Sequence, residues 1–266
     1  MKKTLILSGV LLGLSGFVTS SAAEYTFSTT TSDFMIDAGV RNQGYWSPTR
    51  GNSDSNQGVI AGLYAETEAG KRVVHSIANF FTFNLSGLNL AGKQITSARI
   101  ELTTLAYGSP DSSEIFQLHD VSTPYLTLNN NNSANAGIYG DLVGGDVYGS
   151  VEIFKTAAAN SLQTIQLNAN AIEDIALNAG GWFSVGGSVP TAETYYNGNG
   201  LLCGEYIMAG AVGSSVQRLV ITTEDLEQQV FRTDFQQVPV PEVQHYAMIL
   251  GAGLVGLDIL RRKRKV

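Results

Sequence analysis

Cysteine is nearly missing from this 266-residue chain: Cys203 stands alone, so no internal disulfide can staple the fold. Flanked by Leu202 and Gly204, it is expected to pack as a small hydrophobe. Histidine is almost as scarce. His75, His119 and His245 are the full set, and no two stand at a spacing that local structure turns into a metal pair. No G-x-S-x-G occurs, which removes the nucleophile elbow of a serine hydrolase. No repeat recurs at a fixed period, which argues against propellers and solenoids. Nor does any uninterrupted apolar run reach the roughly 20 residues of an ordinary spanning helix.

Positive charge is also short, and it is crowded into the ends. Of 16 basic residues, Lys2 and Lys3 open the chain and five lie between Arg261 and Lys265, leaving nine for the body against 21 acidic ones. A body with net charge near −12 has no general electrostatic attraction for nucleic acid or anionic lipid. It suits hydrated polymers and attracts divalent cations.

The ends carry the clearest signals. After Lys2 and Lys3, Thr4 to Val18 form an apolar stretch, and Ser21-Ala22-Ala23 supplies a small-x-small cleavage pattern. Cleavage between Ala23 and Glu24 is expected over retention as an anchor, because the run is short and ends in Ser and Ala. An exported amino end makes the carboxyl end a stop-transfer segment. Its uninterrupted apolar part, Tyr246 to Leu257, is 12 residues, and Val243 to Leu260 gives 18 at the cost of admitting Gln244, His245 and Asp258. Arg261, Arg262, Lys263, Arg264 and Lys265 follow and would hold that end on the cytoplasmic side. Asp258 lies one helical turn from these cations, which lowers the cost of its burial.

Pro239-Val240-Pro241-Glu242, the glycine-rich apolar centre Gly251 to Leu257 and the basic end together resemble a PEP-CTERM sorting signal. That family usually has a second proline where this chain has Val243. The resemblance covers about a tenth of the chain. It implies recognition by an exosortase, cleavage near Pro241-Glu242, transient residence in the membrane, and delivery of the body from the periplasm to the cell surface or extracellular matrix. The G-x-G-x-x-G at Gly251, Gly253 and Gly256 lies inside this tag, without the βαβ unit that a dinucleotide fingerprint needs.

Between the ends the pattern is that of strands separated by Gly, Asn, Asp and Ser turns. Val59–Tyr64, Phe80–Leu85, Ala98–Thr104, Glu114–His119, Tyr148–Phe154, Leu162–Leu167, Trp182–Val189 and Gln217–Thr222 are the candidates. Only Asn170–Ala179 has helical spacing, and Asn129–Asn132 reads as a polar loop. The expected class is all-β: a jelly-roll-like β-sandwich with one short helix, flanked by a signal peptide and a transmembrane sorting helix. The expected divisions are a signal peptide over 1–23, the sandwich over 24–222, a polar linker over 223–238 and the sorting signal over 239–266. The segments NFFTFNL (79–85), ITSARIELT (95–103), IFQLHDVSTP (115–124), GGWFSVGG (180–187) and RLVIT (218–222) are similar to exported jelly-roll sandwiches of bacterial surface and biofilm proteins. That second resemblance implies kinship with carbohydrate-binding sandwiches and transfers no individual residue.

Candidate chemistry in the body is sparse. Trp46, Tyr195 and Tyr196 lie in Gly/Asn/Ser-rich segments and are the candidate glycan contacts, whereas Trp182, inside a strand, is expected in the core. Glu66, Glu68, Glu173 and Asp174 read as exposed charges, and His119-Asp120 as a surface or loop pair. Asn52-Ser53-Asp54-Ser55-Asn56 alternates oxygen-bearing side chains, but Gln57 and Leu63 stand where an EF-hand needs Gly and Glu. No cofactor is called for, and calcium, held by carbonyls and one or two carboxylates, is the ion the composition leaves open. The expected function is that of a non-enzymatic exported envelope or matrix protein, a substrate of an exosortase, associated with exopolysaccharide. A lectin-like carbohydrate-binding module is the alternative, and a polysaccharide hydrolase with two carboxylates distant in sequence comes third.

Overall fold

Alternation in Lys93–Gly108 places Ala98, Ile100 and Leu102 on one side and Arg99, Glu101 and Thr103 on the other, and the chain folds accordingly into a long strand with one buried face. The computed structural model describes residues 22–29, 42–52, 59–130, 134–157, 161–209 and 217–226. Their elements are β1 (Ala22–Ser28), β2 (Gln43–Trp46), β3 (Ile60–Glu68), β4 (Lys71–Asn84), β5 (Lys93–Gly108), β6 (Ser113–Asp120), α1 (Tyr125–Leu128), α2 (Ala136–Gly144) and β7 (Val147–Phe154). The series continues with β8 (Ser161–Gln166), α3 (Ala169–Leu177), β9 (Trp182–Ser188), β10 (Thr194–Tyr196), β11 (Leu202–Gly204), β12 (Tyr206–Ala209) and β13 (Arg218–Asp225).

The fold is all-β and sandwich-like, and its strands pair in the order β1-β13-β5-β12-β3-β4-β9-β6-β7, with β8 beside β5 and β2 beside β4. The long strand β4 is shared. Its first half pairs with β3 through Lys71 to Ile77, and its second half pairs with β2 on one edge and β9 on the other. Strands β12 and β13 run in one lane along β5, opposite Gly108 to Thr104 and then Glu101 to Lys93. Phe81, Phe83, Phe116, Leu118 and Val185 from the β4-β6-β9 side meet Ile100, Leu102, Ile165, Ile207, Leu219 and Ile221 from the β5 side in one core. This interdigitation is the principal source of stability, at about 25 cal/mol per Å² of apolar surface removed from water.

The outer side of β4 is buried as well. Trp46, Ala78 and Phe80 form a second cluster under Leu128 of α1 and Ile138 and Leu142 of α2. The structure therefore corrects the expectation of one short helix: three α-helices occur among the described residues. The expected helix is α3, capped by the Asn168 side chain on Ala171 N at 3.1 Å. Helix α2 escapes a periodicity reading because glycines interrupt its apolar positions. Its start is fixed by Asn135 Oδ1, which accepts from Gly137 N and Ile138 N. Gly186 of β9 lets it dock, since a Cβ there would collide with the Leu142 backbone.

All eight expected strands form, although β4 and β5 extend well beyond them, and β13 runs to Asp225, three residues past the expected end of the sandwich. Strand β1 begins at Ala22, so the expected Ala23–Glu24 cleavage point falls within it. No helix among the described residues is long and apolar enough to cross a membrane. Residues 239–266, with the expected sorting and membrane segments, lie outside the described residues.

Candidate functional site

A cleft of about 280 Å³ lies at the end of β6, between α1, α3 and the start of β9. Alternation in β9 sends Phe183 and Val185 into the core and turns Trp182 and Ser184 outward. Tyr125 opens α1 directly after Pro124, and its ring stacks on Trp182 with centroids 4.3 Å apart and planes 8° from parallel. Both rings are half-buried and form one wall.

At the base, the buried Tyr148 hydroxyl lies 2.8 Å from Asp120 Oδ1 and also within hydrogen-bonding reach of Asp174 Oδ2. A phenol has one hydrogen, so it serves one carboxylate at a time and leaves acceptor capacity on the other. Burial pushes the Tyr148 hydroxyl far above its ordinary pKa, and hydrogen bonds to Asp174 and Asp120 push it further, so it stays protonated.

The loop that carries Tyr125 is tied to α2. Asp141 Oδ1 accepts from Ser122 N at 3.3 Å and Ser122 Oγ at 2.7 Å. Its Oδ2 accepts from Thr123 N at 2.7 Å and Thr123 Oγ1 at 2.6 Å. Burial raises the Asp141 carboxyl, but these four donors outweigh it and hold the carboxyl below its ordinary value.

A flat aromatic wall above carboxylate acceptors, with the Asn178 amide at the rim, suits a polyol: sugar C–H faces pack on rings and hydroxyls donate to carboxylates. Sequence reasoning missed most of this. The sequence pattern marks Asp174 as an exposed charge and Asp120 as half of a surface or loop pair, whereas both meet Tyr148. His119 is buried, with Nδ1 3.2 Å from Gly145 O and Nε2 2.7 Å from Ser188 Oγ, because β6 is flanked by β7 and β9.

The two tryptophans exchange their expected places. Trp46 is 0% exposed and donates from Nε1 to Leu128 O at 2.9 Å, so it packs in the second core instead of meeting a glycan. Trp182 is the one at a cleft. Tyr195 and Tyr196 sit together on the β10–β11 ribbon, where Tyr195 is half-buried and Tyr196 is 74% exposed. Cys203, opposite Tyr195, is half-buried instead of packed in the core. Ala23 and Glu24 pair with Thr223 and Thr222, and Glu24 accepts from Arg99 at 3.3 Å. Pro239 to Glu242, Arg261 to Lys265 and residues 53–58 of the Asn52 loop lie outside the described residues.

A second recess, about 350 Å³, is lined by Tyr45, Arg50, Tyr64, Glu66 and His75 among others. Across the β3–β4 hairpin, Glu66 Oε1 and Glu68 Oε1 approach His75 Nε2 to 3.3 and 3.0 Å without hydrogen-bond geometry, while Nδ1 lies 3.2 Å from Thr49 Oγ1. Arg50 also meets Glu66. Glu66 is half-buried beside a histidine that is 8% exposed, contrary to its reading as an exposed charge, whereas Glu68 is exposed as expected. Arg50 already balances this pocket.

No protein-family model matches the chain, and no curated protein matches it. Among solved structures, the chain is similar to the decameric BFDV capsid protein at 10% identity over 77% of this chain and 98% of that one, with a TM-score of 0.27. A second, mud crab tombus-like virus, matches at 8% identity over 78% and 89% of the two chains, with a TM-score of 0.21. At these scores neither assigns a role to any residue here.

Proposed function

We propose that the chain is a non-enzymatic exported protein of the cell envelope or extracellular matrix, processed by an exosortase-type enzyme at its carboxyl end. The observation that carries this reading is the order Pro239-Val240-Pro241-Glu242, apolar segment, Arg261 to Lys265, paired with the leader before Glu24. The apolar segment is its transient membrane span, and the body is a jelly-roll-like sandwich released among exopolysaccharide. Intact-mass analysis of the protein from its native host tests this. A species beginning at Glu24 and ending near Pro241 is expected, and a chain retaining both Met1 and Arg261 to Lys265 sinks the proposal.

The Tyr125–Trp182 cleft favours a second reading, a lectin-like role for the same body. The full chain on a glycan array should bind a polysaccharide fragment. Trp182→Ala should weaken that binding at least tenfold, about 1.4 kcal/mol, whereas Tyr196→Ala should leave it unchanged. The reverse ranking would move the site to the β10–β11 ribbon, and turnover of the glycan would replace binding by hydrolysis.

A further inference from the structure

The turn after β5 brings Asp111 and Ser109 against the start of β6 and the junction between β11 and β12. Three carboxylates meet there: one oxygen each from Asp111, Glu114 and Glu205 lie within 4.8 Å of one another. Asp111 is exposed, but Glu114 is only 1% exposed and Glu205 only 3%. Two buried acids beside a third are costly unless something neutralises them. None of the three forms an ion pair with a basic side chain among the described residues.

Their hydrogen bonds are incomplete in a telling way. Both oxygens of Glu205 are served, Oε1 by Ser109 Oγ at 3.0 Å and Oε2 by Glu193 N at 2.7 Å. Glu114 Oε2 accepts from Thr191 Oγ1, whose own position is fixed by Ile115 N at 3.1 Å. Glu114 Oε1 is enclosed and meets no donor. A buried carboxylate oxygen without a proton donor, on a residue that stands beside two further carboxylates, is the kind of atom that a cation satisfies.

We propose that Asp111, Glu114 and Glu205 bind a calcium ion. Oxygens held by one calcium at about 2.3–2.6 Å can stand no more than about 5 Å apart, and separations all within 4.8 Å satisfy that limit. The donors are hard oxygens without His or Cys, which suits calcium over zinc, and magnesium is seldom held in an all-protein carboxylate cage. The ion ties the β5–β6 turn to β6 and to Glu205, which directly follows β11. It therefore anchors the ribbon that carries Tyr195 and Tyr196.

The full chain, stripped with a chelator, is the material for the test. Calcium at about one hundredfold above its Kd should raise Tm by about 5–10 °C. Terbium should luminesce on tyrosine excitation, because Tyr107 donates to Asp111 O at 3.1 Å, and calcium should quench that emission by displacement. Glu114→Gln removes a like charge while keeping the shape, so it should fold and lose at least about tenfold in calcium affinity. If it does not fold, Asp111→Asn on the exposed member supplies the same comparison. A wild-type Tm indifferent to calcium, or a calcium response that survives in Glu114→Gln, Glu205→Gln and Asp111→Asn alike, overturns the site.

Discussion

Ala69 is the residue most plainly out of place in its own turn. The β3–β4 hairpin closes over two residues between the paired Glu68 and Lys71, and both have positive φ: 47° at Ala69 and 79° at Gly70. Glycine adopts that region freely, whereas a Cβ costs about 1–2 kcal/mol there. Asparagine followed by glycine is the pair such a turn favours. Ala69→Asn should therefore stabilise the protein by about 0.5–1 kcal/mol in urea unfolding, and a neutral or destabilising result would show that the strain is absorbed elsewhere. Single residues were the least legible part of the sequence. Trp46 looked exposed because its neighbours are Gly, Asn and Ser, but its enclosure is supplied by Leu128, 82 positions away. Trp182 looked buried because it opens an apolar strand, yet strand alternation turns it to the opposite face from Phe183.

Helix α2 illustrates what an element can do that its own sequence does not announce. Its glycine-broken apolar pattern gives little reason to predict it, and tertiary cover over Phe80 and Trp46 supplies the rest. Strands such as β5, β6 and β13 were legible because period-two alternation is written directly in their residues. The helix also carries Asp141, whose four donors clamp the loop leading to Tyr125. The folded carboxyl titrates below its ordinary value of 3.8, so its stabilising contribution is complete above that value and disappears as pH falls through the lower folded one. Asp141→Asn should therefore be less stable than the parent in urea at pH 7. Its stability should also decline less between pH 5 and pH 2. Equal acid sensitivity in the two proteins would remove the clamp from the account.

At the scale of the whole molecule, the all-β class was readable while the site was not. A two-layer β body follows from short alternating runs and turn residues, and the ends announce themselves by charge and hydropathy. The cleft and the three-carboxylate cluster arise from pairings that no local pattern encodes: Asp120 with Asp174, and Glu114 with Glu205. The same non-local character governs how the ends meet. Strand β1 lies antiparallel to β13 with Ala22 opposite Glu224 and Ser28 opposite Arg218. Trimming at Glu24 would leave five of those pairs, from Glu24–Thr222 to Ser28–Arg218.

That single pairing also sets a timetable. The first described strand finds its hydrogen-bond partner only in the last, so an emerging chain carries an unmatched β1 edge until almost the whole body has been made. Closing so long a loop is slow and entropically costly. The sheet is finished only as the residues leading into the carboxyl-terminal segment appear, which makes completion of the body and arrival of that segment nearly one event.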